Sequence, residues 1–175
     1  MSKRFLAVLL LVLALLVSCS EKETMTPESI AEYAAPPFVM TTDFEINGIK
    51  GAASFRCNGI GDCELLYLAP ENVSQLRIKK SGDVVTEEYA GLKTESEYAA
   101  LKDENPIVVL ETLFSHMITD TVEVSASDSE VTASANDGRI KAIFANGALK
   151  RVEAPFAKLV MRVSGFEHLQ EKTRN

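Results

Sequence analysis

Histidine, cysteine and basic charge are all scarce in this chain of 175 residues. Two His and three Cys are too few to build a zinc cluster or a metalloenzyme ligand array. Eighteen Lys and Arg stand against 25 Asp and Glu, a net charge of -7 with no basic stripe, which argues against nucleic acid or any other polyanion as partner. Trp is absent, and nine Gly and six Pro are too few for a fibrous or disordered chain. No G-x-S-x-G elbow, phosphate loop or dinucleotide fingerprint occurs. What remains, with 46% apolar residues, is enough for one globular domain.

The N-terminus carries the sharpest signal. Lys3 and Arg4 precede an apolar run from Phe5 to Val17. As a helix this run is roughly 20 Å long, short of the roughly 30 Å hydrocarbon core, so it reads as a signal-peptide h-region and not as a membrane span. It ends in Leu16-Val17-Ser18-Cys19, followed by Glu21-Lys22-Glu23. This ending resembles the lipobox of bacterial lipoproteins. The resemblance implies cleavage before Cys19 and a diacylglycerol thioether on its thiol, so that the membrane is a partner through lipid. The expected location is the extracytoplasmic side of the cell membrane. The expected organisation is a signal peptide over 1–18, a lipidated Cys and tether over 19–37, a β domain over 38–169 and a polar tail over 170–175.

Within the tether, Thr26-Pro27 can cap a short helix over Ser29 to Ala34, with Pro at its first position. Pro36-Pro37 then stops it, and the segment reads as a spacer outside the core. From Phe38 onward apolar residues recur with period two. Phe44 and Ile46, then Ala53, Phe55 and Cys57, then Leu76 and Ile78 follow this pattern. So do Val122, Val124 and Ala126, then Val131, Ala133 and Ala135, then Ile140, Ala142 and Phe144, and finally Leu159, Met161 and Val163. Such alternation marks strands with one buried face. Asn47-Gly48, Asn58-Gly59, Ser81-Gly82, Asp137-Gly138 and Asn146-Gly147 supply residues that accept the positive φ of tight hairpins. The expected fold class is mainly β, built on antiparallel sheet.

Two helices interrupt the pattern. Thr94-Glu95-Ser96-Glu97 has capping-box spacing and predicts a short helix over Glu95 to Asp103. Asn105-Pro106 predicts a second N-terminus, and Ile107, Leu110, Phe114, Met117 and Ile118 then form one apolar stripe. A single amphipathic helix in a β chain must bury that stripe, and the inner face of a curved sheet is the partner at hand. These five residues are the candidate apolar lid.

Cys57 and Cys63 flank a Gly-rich turn. A hairpin there brings two Cα atoms within the roughly 4.4–6.8 Å that a disulfide requires, so the pair is a candidate staple, with two free thiols as the alternative. The CxxxxxC spacing is not that of a disulfide oxidoreductase. Ser115 and His116 are adjacent and cannot form a triad bond on one helix face. Acidic pairs such as Glu87-Glu88, Asp103-Glu104 and Asp128 with Glu130 read as solubilising charge. No residue is assigned to catalysis, to a metal or to a cofactor.

The order tether, sheet, helical insertion, sheet resembles the outer-membrane lipoprotein carrier (LolA/LolB-like) superfamily. The likeness is carried by Phe55, Leu68-Ala69-Pro70-Glu71-Asn72-Val73, Leu76, Ile78, Gly82 and Tyr89-Ala90-Gly91-Leu92. Asn146-Gly147-Ala148-Leu149-Lys150-Arg151-Val152 and Val163-Ser164-Gly165-Phe166 extend it to the C-terminus. It implies a strongly curved antiparallel sheet, an unclosed half-barrel with a helical lid, whose concave face shelters acyl chains. Cys19 departs from the soluble carrier and matches the membrane-bound receptor, whose protruding apolar loop has no counterpart here. Two expectations follow. One is a non-enzymatic lipoprotein that takes up lipid or another apolar ligand; the other is an envelope protein-interaction module with a filled core and no ligand.

Overall fold

Alternation with period two carries most of the chain into strands, and the turn dipeptides set where each strand reverses. The computed structural model describes residues 25–170, apart from 120, 128, 129 and 137. Eleven strands form one antiparallel sheet. β1 (Phe38–Ile46), β2 (Ile49–Gly59), β3 (Asp62–Ala69), β4 (Arg77–Ser81), β5 (Val84–Tyr89) and β6 (Leu92–Glu97) run as a meander to one edge. The chain then crosses to the opposite edge through helix α2 (Pro106–Ile118). It returns through β7 (Glu123–Ala126), β8 (Val131–Ala135), β9 (Ile140–Ala145), β10 (Ala148–Ala154) and β11 (Leu159–His168). β11 pairs antiparallel with β1, Phe38 opposite His168 and Ile46 opposite Leu159, and this pairing joins the two meanders. The edges are β6 and β7, so the sheet is an unclosed half-barrel, as expected. Bulges at Thr41/Thr42, Ala52/Ala53, Cys57/Gly59 and Leu149/Arg151 bend the strands they interrupt.

Hairpin registers align the inward side chains in rows. One row runs Phe38–Cys57–Cys63–Lys80–Val85–Ser96 and the next runs Met40–Phe55–Leu65–Ile78–Glu87–Thr94. Both rows are mostly apolar toward β1 and turn polar toward β6. On the other wing the floor is made of Ala133, Ala135, Ala142 and Phe144, all buried, and the small Ala side chains let the helix approach. Gly51 faces Phe44 across β1–β2. A Cβ there would collide with the Ala69 carbonyl and come within 2.5 Å of Phe44 Cζ, so the position admits only glycine.

Three sequence expectations need correction. The helix expected over Glu95–Asp103 is replaced by β6 and a single 3-10 turn at Tyr98–Ala100. Thr94, the expected cap, lies opposite Glu87 in the β5–β6 ladder, and strand pairing takes the backbone groups that a capping box would have used. The β2–β3 reversal falls on Ile60-Gly61 and not on Asn58-Gly59. Gly61 has φ +78°, whereas Gly59 pairs with Asp62. The described part of the expected spacer belongs to the core. Helix α1 (Pro27–Tyr33), capped by Thr26 with Ser29 in a reciprocal box, buries Ile30 completely, as the chain beyond it buries Ala34. Tyr33 stacks on Phe166 at 4.4 Å and meets Phe144 edge-on at 5.4 Å, while its hydroxyl accepts from Leu149 N–H at 3.2 Å.

Candidate functional site: the concave face beneath α2

The helix α2 carries the chain from one sheet edge to the other, and burial of its apolar side chains in the core cluster seats it on the concave face. Asn105 Oδ1 accepts from Ile107 N–H at 3.1 Å, and Pro106 occupies the first turn, where its missing N–H costs nothing. From that start the apolar stripe falls on the sheet side. Ile107, Val109, Leu110, Leu113, Phe114 and Met117 are all 0–1% exposed, and Ile118 is partly buried against the same cluster. All five lid residues read from the sequence are therefore brought together. Val109 and Leu113 widen the stripe beyond that reading.

The floor under α2 is aromatic. Phe114 lies 4.7 Å from Phe38 and 5.5 Å from Phe55, stacked on the latter. Phe38 in turn stacks on Phe166 at 4.7 Å. His168 meets Phe166 edge-on at 5.5 Å. Offset and edge-on pairs of this kind each contribute about 0.5–1.5 kcal/mol beyond their buried area. His116 points away from this floor, its Nδ1 2.9 Å from the Thr121 hydroxyl at the exposed helix end.

One flank of α2 is held by a polar cluster that the sequence reading missed. Glu111 interrupts the helix stripe, and Lys80 occupies an inward position of β4. Lys80 Nζ lies 3.4 Å from Glu111 Oε1, with side chains 8% and 17% exposed. The Tyr98 hydroxyl donates to Glu111 Oε2 at 3.0 Å, and Ser115 Oγ donates to Oε1 at 3.3 Å. Lys80 Nζ also sits 4.4 Å above the Tyr98 ring, a favourable cation–π geometry. Burial pushes the Tyr98 phenol up, and the Glu111 charge adds to the effect. The signal for Lys80 was present in the alternation, since Ile78 inward puts Lys80 inward. Nothing local named its partner 31 residues away.

Cys57 and Cys63 sit directly opposite each other in the β2–β3 ladder, both buried and both free thiols. Cys57 Sγ donates to the Gly59 carbonyl at 3.6 Å. Burial pushes the Cys57 thiol up to about 11, against the opposing pull of that bond. Burial, then the Glu111 charge, pushes Cys63 up to about 12. The crevice beside them, about 10 Å³, is lined by Glu111, Phe114, Ser115 and Ile118 of α2 and by Gly59, Ile60 and Gly61 of the β2–β3 turn. Among the described residues, no cluster of three or more His, Cys, Asp or Glu could hold a metal ion. Cys19 lies outside the described residues.

The fold and site define an open antiparallel half-barrel with a helix seated across its concave face. No family model matches the chain, and no curated protein matches its sequence. Solved structures do match it. An uncharacterized conserved protein from Thermus thermophilus superposes with a TM-score of 0.52 at 8% identity, covering 82% of this chain and 86% of that one. A LolA superfamily protein from Nitrosomonas europaea gives a TM-score of 0.44 at 10% identity, covering 84% and 95%. A DUF1329 family protein from Desulfovibrio piger gives 0.32 at 10% identity, covering 83% and 94%. At such identities the likeness is one of fold.

Proposed function

We propose that the protein is a lipid-anchored, non-enzymatic envelope protein whose half-barrel shelters an apolar chain, such as an acyl group, between α2 and the concave face. The observation that carries this reading is how α2 is held. Among the described residues, no backbone hydrogen bond ties α2 to the sheet. Side-chain packing and the Lys80–Glu111–Tyr98 cluster hold it instead. The helix can therefore move without breaking a rung of the β ladder.

The energies are of matching size. Uncovering the six buried aliphatic and aromatic side chains of α2 costs about 9–18 kcal/mol at about 1.5–3 kcal/mol each. An acyl chain of about fifteen methylenes returns on the order of 12 kcal/mol at about 0.8 kcal/mol per CH₂. A guest that replaces the helix contacts can thus displace α2 while the sheet stays folded.

The tight seating of α2 supports a second reading, in which the core is filled for good and the outer surface docks an envelope protein. One experiment separates the two. Purified Ser20–Asn175 should carry lipid detectable by mass spectrometry and bind a fluorescent fatty acid saturably. If neither signal is found, the ligand reading fails and the docking module stands.

A further inference from the structure

The cysteine pair lies on the concave face under α2, beside Phe114, Ser115 and Ile118 of that helix. Cys57 and Cys63 are exact partners in the β2–β3 register. Directly opposed antiparallel residues have Cα atoms about 4.5–5.5 Å apart, inside the range of about 4.4–6.8 Å that a disulfide spans. Both side chains point to the same face and both are buried. The crevice beside them is lined by Phe114, Ser115 and Ile118 of α2 on one side and by Gly59, Ile60 and Gly61 of the β2–β3 turn on the other, and at about 10 Å³ it has room for about one water molecule.

We propose that Cys57 and Cys63 are a dithiol–disulfide pair, oxidised by a disulfide-bearing small molecule or oxidoreductase, and that α2 gates the reaction. The gating and the oxidant's access rest on the displaceable α2 of the proposed function; the register of the pair does not. One thiol loses its proton and attacks the external disulfide, forming a mixed disulfide and releasing one thiolate of the oxidant. The second cysteine then attacks the mixed disulfide. The Cys57–Cys63 bond forms, and the other half of the oxidant leaves as thiolate. The protein loses two electrons and two protons, and the oxidant becomes two thiols.

A mixed disulfide is far larger than the crevice, so the first attack requires α2 to move away. Burial reinforces this gate, because it holds both thiols protonated at neutral pH while the helix is seated. Once α2 lifts, water reaches the thiols and they ionise more readily. The bond would then fix the β2–β3 hairpin in the register already present, directly below Glu111 and Phe114.

The test exposes the reduced, folded full-length chain to excess glutathione disulfide at pH 8 and follows it by non-reducing peptide mapping, which keeps Cys19 apart from the pair. The expected product is a peptide linked through Cys57 and Cys63, absent from Cys57→Ser. Its formation should be about tenfold faster in Glu111→Gln combined with Tyr98→Phe, which loosens α2 by removing charge-assisted bonds. Thiols that stay alkylatable in both proteins overturn the pair, and equal rates in both overturn the gate. Fatty-acid uptake without the bond removes only this inference, whereas the bond without uptake removes only the proposed function.

Discussion

A lysine on the buried face of a strand has lost much of its hydration, and only a nearby anion and a polarisable ring offset that loss. Lys80 has both, in Glu111 and Tyr98. The carboxylate in turn accepts from Lys80, Tyr98 and Ser115. The cluster is therefore costly to break and cheap to replace. Glu111→Leu leaves the ammonium unpaired and should destabilise the domain by about 3–5 kcal/mol. Lys80→Met combined with Glu111→Leu removes both charges and should recover most of that loss. Urea denaturation of the two single variants and the double reads this directly; a double variant as unstable as Glu111→Leu would show that Lys80 is already satisfied without its carboxylate. At this scale the sequence was half legible. Alternation placed Lys80 inward, while the identity of its partner depends on where α2 lies, which no local pattern encodes.

Elements with a strong period were readable, and elements without one were not. The spacing of Ile107, Leu110, Phe114, Met117 and Ile118, with Asn105-Pro106 ahead of it, located α2 because cap and stripe agree. β6 gave no such signal. Leu92, Thr94 and Ser96 on one face and Lys93, Glu95 and Glu97 on the other are all exposed, so neither face is apolar and the capping-box spacing was the stronger local cue. Pairing with β5 decides the matter. Charged edge strands of this kind also discourage pairing with other chains. For α2 the consequence is a hierarchy of stability. Held through side chains and not through the ladder, it should open before the central strands. Native-state hydrogen exchange should give α2 amides an opening free energy several kcal/mol below that of β1, β2 and β11, with a correspondingly smaller dependence on denaturant. Matching free energies and slopes for α2 and β1 would mean that the helix leaves only when the whole domain unfolds, and the displaceable layer would be lost as an idea.

At the scale of the whole molecule, hairpins could be read one at a time, because turn chemistry and alternation are local. The pairing of β1 with β11, and the crossing of α2 between the sheet edges, could not. Many strand orders bury the same faces, and only the assembled sheet selects one. α1 was misjudged for the same reason: its apolar content is small, and Tyr33 finds Phe144 and Phe166 only after β9 and β11 are in place. The anchor, by contrast, is a matter of sequence and of charge. In the proposed lipid-anchored form, cut before Cys19, Lys3 and Arg4 are gone and 16 basic residues stand against 25 acidic ones, a net charge of -9. Such a body is repelled by an anionic lipid surface, so any residence at the membrane has to come from acyl chains on Cys19. One chain binds only marginally, while two or more hold stably. In a bacterial host, the native chain should therefore sediment with membranes, and intact mass should show a diacylglycerol on Cys19. Cys19→Ala should move the protein to the soluble fraction without changing its far-UV circular dichroism. Its body should also bind anionic vesicles no better than neutral ones, because acidic surface and acidic headgroups repel. Membrane association that survives Cys19→Ala would transfer the attachment to the folded domain itself, and the half-barrel would then have to be regarded as a lipid-surface protein rather than a tethered one.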